Sequence, residues 1–321
     1  MEHETRIKLI RILSDGIFHS GQQLGETLGM TRVAISHHIK VLMSWGLDIY
    51  SVQGKGYCLK HPIDMLDEKI LQKSLASDRK IELFPIIDST NQYLIQQLPH
   101  LKKGQVCLAE YQSAGRGRRG REWVSPFGAN LYLSMYWRLD AGIMAAMGLS
   151  LVVGISVVEA LTEMGCRGIK VKWPNDIYYQ DRKLAGILVE LSGQTGDAAH
   201  LVIGMGMNLA MPEDKNTHKI TQPWANLQET CESLPEKNKL AAELINHIQE
   251  ALVLYEEQGL GIFVDRWRSI DNFNGREVKL IMPHKEIKGI AHGINEQGAL
   301  LLEHDGVITP FIGGEISLRG L

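Results

Sequence analysis

No C-x-x-C pair occurs in this chain; its four cysteines, Cys58, Cys107, Cys166 and Cys231, are scattered through 321 residues. That spacing argues against a zinc knuckle or a disulfide framework and suits a reducing compartment, so a cytoplasmic protein is expected. No G-x-x-x-x-G-K-[ST] run occurs either, which excludes the P-loop route to nucleotide phosphates. Long apolar runs are missing. The longest uncharged one, Ile143 to Val158, is shorter than a bilayer requires and is broken by Gly148, Ser150, Gly154 and Ser156, so it reads as a buried helix. The polar start Met1-Glu2-His3-Glu4 leads into no signal-peptide core, and no membrane association is expected. Charge of one sign is also scarce, the net being only −3. What remains is the composition of a packed soluble protein, long enough for two or three domains.

Against that background one segment stands out. Gly115-Arg116-Gly117-Arg118-Arg119-Gly120 crowds three guanidinium groups onto a backbone whose glycines let an anion approach the peptide N–H groups. The run fits G-x-G-x-x-G, but a dinucleotide fingerprint needs a strand before it and a helix opening at it. Only the strand, Val106 to Tyr111, is expected; Pro126 and Gly128 oppose a helix after the glycines. The loop is therefore read as an arginine cradle for a phosphate or carboxylate, although a solvated basic turn would look the same.

Three further regions place small or polar residues at the ends of apolar strands. Asp88-Ser89-Thr90-Asn91 follows Leu83 to Ile87 and offers a cap for a helix beginning near Gln92. Lys172-Trp173-Pro174-Asn175-Asp176 closes a strand, and Lys183-Leu184-Ala185-Gly186-Ile187-Leu188 starts the next. Gly204 and Gly206 occupy alternate positions of a strand that runs to Asn208, where glycine signals a bulge or a close approach. Taken singly, Asn175 and Asp176 are explained almost as well by a turn, and Lys183 by a surface hairpin.

Residues 1–62 form a unit of their own. Ser20 to Leu28 reads as a capped helix, Gly29-Met30 as the turn, and Thr31 as the cap of a second helix running towards Trp45. Ile35, Ile39 and Leu42 keep helical spacing on one side, while Arg32, Ser36, His37 and Lys40 mark the other. This is a helix-turn-helix pattern, whose second helix presents its first turns, here Thr31, Arg32 and Val33 onward, to base edges in the major groove. Gln53-Gly54-Lys55-Gly56 is a hairpin tip, a wing with Lys55 to grip phosphate. Seven Lys or Arg against five Asp or Glu give this unit a net of only +2, so DNA binding by a dimer is expected; a winged helix used for protein contacts is the alternative.

His61-Pro62 is expected to be a linker before a helix from Met65 to Leu75. A long helix is expected over Ala145 to Met164. Another carries the stripe Leu240, Leu244, Ile248, Leu252 and Tyr255, read as core. The last fifty or so residues turn to short strands around Val278–Ile281, Glu286–Ile290 and Leu300–Glu303, with Asp305-Gly306 as a turn.

Five of these motifs, in this order, resemble the biotin protein ligases: Asp88 to Asn91, the Gly115 to Gly120 loop, Lys172 to Asp176, Lys183 to Leu188, and Gly204 to Asn208. With the winged helix ahead of them, the whole chain resembles the bacterial ligases that also repress the biotin operon. The resemblance implies an α+β protein with three units. These are a winged helix-turn-helix (1–62), a central mixed-sheet α/β ligase domain similar to class II synthetases (63–270), and an SH3-like C-terminal β-barrel (271–321). It implies that ATP and biotin give biotinyl-5′-AMP and pyrophosphate, and that the biotin then passes to a lysine of the biotin carboxyl carrier protein, an acetyl-CoA carboxylase subunit. With adenylate bound, a homodimer is expected on operator DNA of the biotin biosynthesis genes.

Residue roles follow from the resemblance. Lys183 is expected to touch the biotin carboxylate and the α-phosphate, and Arg118 to retain the adenylate. Ser89, Thr90, Asn91, Gln112, Gly115 and Arg116 are expected around the ureido ring, and Trp123, Gly186, Leu188, Gly204 and Gly206 along the tail. Arg116, Arg119, Arg121, Asn175, Asp176, Asn208 and Trp224 are the further adenylate candidates. Arg119 and Arg121 have a solvent or dimer role as the alternative. Magnesium is expected to arrive with ATP, with Asp176 a candidate ligand and no dedicated metal site. The segment Met211 to Pro223, ahead of Trp224, is charged and polar and departs from the family. Lipoate or octanoate ligases use related chemistry, but they carry a glycine triplet after paired arginines that this loop lacks. A non-catalytic biotin-sensing repressor would have no need of Lys183 and the arginine loop together.

Overall fold

The computed structural model describes residues 2–76, 80–98, 100–192, 197–213, 217–282, 285–313 and 316–320. It opens with three helices, α1 (Glu2–Leu13), α2 (Gly21–Leu28) and α3 (Arg32–Ser44). Their ends are set by local chemistry. Ser20 Oγ accepts the Gln23 N–H and the Gln23 side chain accepts the Ser20 N–H, a reciprocal pair that satisfies two orphaned donors of α2. Gly29, at φ 66°, ends that helix in the left-handed region, and Thr31 accepts the Ala34 N–H at 3.2 Å to start α3. Ile35, Ile39 and Leu42 are buried with Leu9, Ile10, Leu13 and Leu24, whereas Arg32, Val33, His37 and Lys40 face solvent and Ser36 is half-buried. Strands β1 (Ile49–Val52) and β2 (Gly56–Leu59) make the hairpin, with Lys55 exposed at its tip.

His61 and Pro62, expected as a linker, are exposed, but the chain packs immediately after them. Ile63 and Met65 lie against the core of the three helices, and Leu66 donates its N–H to buried Glu110 at 2.6 Å. Trp45, just past α3, stacks on Tyr111 and Phe127 with ring centroids 5.3 and 6.1 Å away, so apolar contact replaces a free tether. The helix that follows, α4 (Glu68–Ser74), is shorter than expected because Asp67 caps it.

Next come β3 (Ile81–Phe84), α5 (Thr90–Gln96), β4 (Val106–Ala109), β5 (Asn130–Leu139), α6 (Leu149–Glu163), β6 (Ile169–Lys172), β7 (Asp176–Tyr179), β8 (Arg182–Ser192) and β9 (Ala199–Asn208). The strands form one mixed sheet in the order β3-β4-β5-β9-β8-β7-β6, parallel only between β3 and β4. The inner strand β5 is covered on both faces. Leu131, Leu133, Met135 and Trp137 join α6 and α7 (Lys237–Gln258) in the main core, while Tyr136 packs on the other side with Leu94 of α5. The α7 stripe Leu240, Leu244, Ile248, Leu252 and Tyr255 is buried as its spacing requires.

Helix α6 begins four residues later than expected. Gly148 sits at φ 84°, where a Cβ would come within 2.7 Å of Leu260, so a 3₁₀ turn over Ile143–Ala146 precedes the helix instead of continuing it. By length and composition Ile143–Glu163 is apolar enough to cross a bilayer, yet most of α6 is inside the core.

After α8 (Val264–Ile270), strands β10 (Glu277–Met282), β11 (Lys285–Ile294), β12 (Leu300–His304), β13 (Val307–Phe311) and β14 (Ser317–Gly320) form an antiparallel sheet in the order β13-β12-β11-β10-β14. The outer strands β13 and β14 went unread in the sequence: β13 is exposed along most of its length and holds Pro310, so it shows no apolar alternation.

Candidate functional site

The loop ends of α5, β7, β8 and β9 and the arginine loop converge on two adjoining cavities of about 130 and 670 Å³, joined through Trp123, Lys183 and Arg319. Register explains how the floor is made. Gly186 of β8 stands opposite Gly206 of β9, and Gly204 lies between Leu188 of β8 and Ser134 of β5. A Cβ on Gly206 would meet the Trp123 indole at 2.5 Å, and one on Gly204 would meet the Asn91 amide at 2.2 Å. The glycines therefore make room for two side chains that line the cavity.

The arginine loop is a hairpin-like excursion. Trp123 donates its N–H to Gly115 at 2.9 Å and Gly117 donates to Arg121 at 2.7 Å, while Arg118–Gly120 makes a 3₁₀ turn with Arg119 at φ 60°. Gly115 is required at its base: a Cβ there would be 2.6 Å from the Trp123 carbonyl oxygen. Arg118 is half-buried and donates to Asn175 Oδ1 at 2.8 Å; Asn175 in turn donates to the Ile187 carbonyl at 2.5 Å. Burial pulls the Arg118 pKa down from its ordinary value, partly offset by Asp176, although a guanidinium stays charged in proteins. Arg119 and Arg121 are exposed at the rim.

Lys183 Nζ lies 2.7 Å from Asp176 Oδ1 and 5.3 Å from the Trp123 ring centroid. Burial alone would raise the Asp176 pKa, yet the ammonium groups of Lys183 and Lys172 hold it below the usual carboxylate value. Lys172 itself, deeply buried against the Tyr178 hydroxyl at 2.8 Å, is pushed down to about 7 by desolvation.

The opposite wall is a polar chain. Ser89 caps α5, Thr90 donates its N–H and hydroxyl to Gln112 Oε1 at 2.9 and 3.1 Å, and Gln112 donates to Ser125 at 3.3 Å. Asn208 lies deeper. It donates to the Ala225 and Lys183 carbonyls at 3.1 and 3.4 Å and so ties the segment carrying half-buried Trp224 to β9. Trp224 lines the larger cavity, and three positions of the segment before it, 214–216, lie outside the described residues.

Thus Ser89, Thr90, Asn91, Gln112, Arg116, Arg118, Arg119, Arg121, Trp123, Asn175, Asp176, Lys183, Gly186, Leu188, Gly204 and Gly206 line the smaller cavity; Asn208 and Trp224 line the larger, and Gly115 supports the loop from behind. Thr31, Arg32, Val33, Ser36, His37, Lys40 and Lys55 belong to the separate N-terminal unit. One cation was missed. Arg319 reaches the cavities from β14, and a lone arginine in a four-residue strand carries no motif that would announce it. Six basic side chains then line the smaller cavity against two carboxylates, Asp176 and Glu122, an excess suited to a polyanion. Trp123 Nε1 is buried without a protein acceptor among the described residues.

Residues 83–208 match the biotin/lipoate A/B protein ligase family, 273–319 the biotin protein ligase C-terminal domain, and 5–58 an HTH domain. The bifunctional ligase/repressor BirA of Escherichia coli K12 is 56% identical over 318 residues, 99% of this chain and 98% of its own length. The protein of that name from Bacillus subtilis is 25% identical over 324 residues, covering 99% of this chain and 100% of its own. Among solved structures, biotin protein ligase from Aquifex aeolicus in complex with biotin and ATP superposes with a TM-score of 0.67 at 30% identity, covering 75% of this chain and 99% of that one.

Proposed function

The chain belongs to the family of bifunctional biotin ligases and repressors, and on that premise we propose how its cavities divide the work. Biotin occupies the smaller cavity, ATP the larger, and the product is biotinyl-5′-AMP, from which biotin passes to a lysine of the biotin carboxyl carrier protein. The observation that carries this reading is the meeting of Lys183, Arg121 and Arg319 where the two cavities join, with Arg118 beside them in the smaller one.

A carboxylate needs activation because its oxygen is a poor leaving group. A biotin carboxylate oxygen attacks the α-phosphorus of ATP, the bond to the bridging oxygen breaks, and pyrophosphate leaves. Negative charge grows on the phosphoryl oxygens, where fixed cations lower the barrier. Lys183 is the group that meets both the carboxylate and the α-phosphate. To do so it exchanges its contact with Asp176, which keeps Lys172 at 3.8 Å as a remaining counter-ion. In the second step a neutral carrier lysine attacks the anhydride carbonyl, and AMP leaves. Arg118, braced on Asn175, retains the adenylate until then.

The uncharged ureido ring needs paired donors and acceptors over an apolar wall, supplied by Ser89, Thr90, Gln112 and the Arg116 backbone. Trp123 and Leu188 cover the tail, and Trp224 packs on the adenine. Magnesium would come as a companion of the triphosphate, because magnesium commonly uses one or two carboxylates plus substrate phosphates, and Asp176, which lines the smaller cavity, would be one of them. When bound it supplies neutralisation of phosphate charge.

Repression uses the exposed face of α3 and the wing on operator DNA, in a cytoplasmic setting. A homodimer is favoured by the edge of β8: beyond Ile187 no other strand lies on its outer side among the described residues, and Leu191 is exposed there. ATP–pyrophosphate exchange tests the ligase reading, with biotin, lipoate and octanoate in separate reactions. Exchange with biotin alone is expected; exchange with lipoate, or with none, overturns it.

A further inference from the structure

Glu190 lies on β8 two residues beyond Leu188, hence on the same face of the sheet as Gly186 and Leu188. It does not line either cavity. Its carboxylate nevertheless collects two donors that do: Asn91 Nδ2 at 2.8 Å and Arg116 Nη2 at 3.2 Å, both on Oε2. Asn91 is itself fixed. Its Oδ1 faces the Ser134 hydroxyl at 2.5 Å, which also lies 2.7 Å from Thr90 Oγ1, and its amide crosses Gly204, the one residue type that leaves it space. A continuous polar chain therefore runs from Thr90 through Ser134, Asn91 and Glu190 to Arg116.

This arrangement differs from an ordinary surface ion pair, which holds two long side chains for little gain. Here the carboxylate is held by Asn91, an amide buried at the start of α5, so one of the two partners of the Arg116 contact is already ordered. Arg116 opens the arginine loop and is bridged in turn to Glu122 on its return arm. Fixing Arg116 fixes where the loop leaves the sheet.

Resting on the ligase reading above, we propose that Glu190 is a positioning residue for the arginine loop, anchoring Arg116 to the Asn91–Ser134 chain so that the loop is held in the conformation that retains biotin and the adenylate. It touches no substrate and acts through Arg116. Because it stands on the stretch of β8 with no strand outside it, the anchor and the free sheet edge share one residue.

The test uses the full-length protein and four variants: Glu190→Ala, Glu190→Gln, Arg116→Ala, and Glu190→Ala with Arg116→Ala. With Glu190→Ala, release of the adenylate after rapid dilution is expected to quicken about tenfold, the size of one lost charge-assisted contact, with kcat of exchange at saturating biotin within about twofold. Glu190→Gln keeps an acceptor for both donors and should recover most of the retention. The double variant should release no faster than Arg116→Ala alone, because coupled sites are not additive. Amide exchange across residues 115–123 reads the anchor with no substrate present and should be faster in Glu190→Ala. Unchanged amide exchange, unchanged release, or additive effects in the double variant would each overturn the proposal. Wild-type exchange with biotin is measured alongside; its absence counts against the ligase reading, while the amide exchange still judges the anchor.

Discussion

The two cationic regions of this molecule are built on opposite plans. On α3 and the wing, Arg32, Lys40 and Lys55 are exposed and take part in no ion pair among the described residues. Around the cavities the cations are braced: Arg116 on Glu190, Arg118 on Asn175, Lys183 on Asp176. A surface that meets a long polyanion gains by releasing mobile counter-ions from it and needs little geometry of its own. A site that must hold one phosphorus and one carboxylate at bonding distance has to fix its charges beforehand, which only partners in the protein can do.

That contrast can be broken most severely at Lys183. Lys183→Ala is expected to lower biotin-dependent pyrophosphate exchange about a hundredfold or more, as loss of a fixed transition-state charge does elsewhere, while the winged helix stays folded by circular dichroism and thermal unfolding. Full exchange activity in that variant would remove Lys183 from the chemistry. Arg118→Ala should fold and form adenylate but lose it about tenfold faster after rapid dilution, for the loss of one charge-assisted contact. Retention equal to wild type would leave Arg118 with a structural role alone.

Salt separates the two plans directly. Between about 50 and 200 mM salt, operator affinity should fall steeply, and Lys40→Ala should reduce the slope of log affinity against log salt by roughly one per protomer. Adenylate retention over the same range should change little, because its cations are partly buried and paired. A slope unaltered by Lys40→Ala would place Lys40 off the phosphate backbone.

The smallest expected effect concerns Lys172. Its pKa is pushed down to about 7 in the fold from an ordinary 10.5, so between those values the unfolded chain binds the extra proton. Stability should therefore rise with pH across that window through this group, and the rise should flatten in Lys172→Met. Thermal unfolding at several pH values from 6.5 to about 9.5 measures it, within the conventions of linkage. An identical pH dependence in both proteins would show that Lys172 carries its proton in the fold as it does in the unfolded chain.

Much of the fold was legible because its signals are local. The box formed by Ser20 and Gln23, the Gly29 turn and the α3 spacing each involve residues a few positions apart. The misreadings come from contacts distant in the chain. Gly148 delayed the start of α6 because its backbone and the nearby Leu260 leave no helix through it, and Leu260 is distant in the chain. That the chain packs again at Ile63 and Met65, just past His61-Pro62, could not be read because part of the apolar cluster they join, Tyr111 and Phe127, belongs to a later segment.

For the site, glycine placement was readable but its beneficiary was not. Gly204 and Gly206 indicated a close approach; only the register places Asn91 and Trp123 as what approaches. Glu190 and Arg319 offered nothing to read, since a single charge in a strand has no period and no companion within reach along the chain.

By itself, the sequence determined where α2 ends and α3 begins, which face of α3 is polar, and where the backbone must lack a Cβ, because dihedral preference and periodicity act between neighbours. Which charges meet was decided only by the tertiary structure. Arg116 and Glu190 stand 74 residues apart and Arg118 and Asn175 stand 57 apart, and an ion pair or hydrogen bond depends on distance through space, which the sheet register and the path of the loops alone supply.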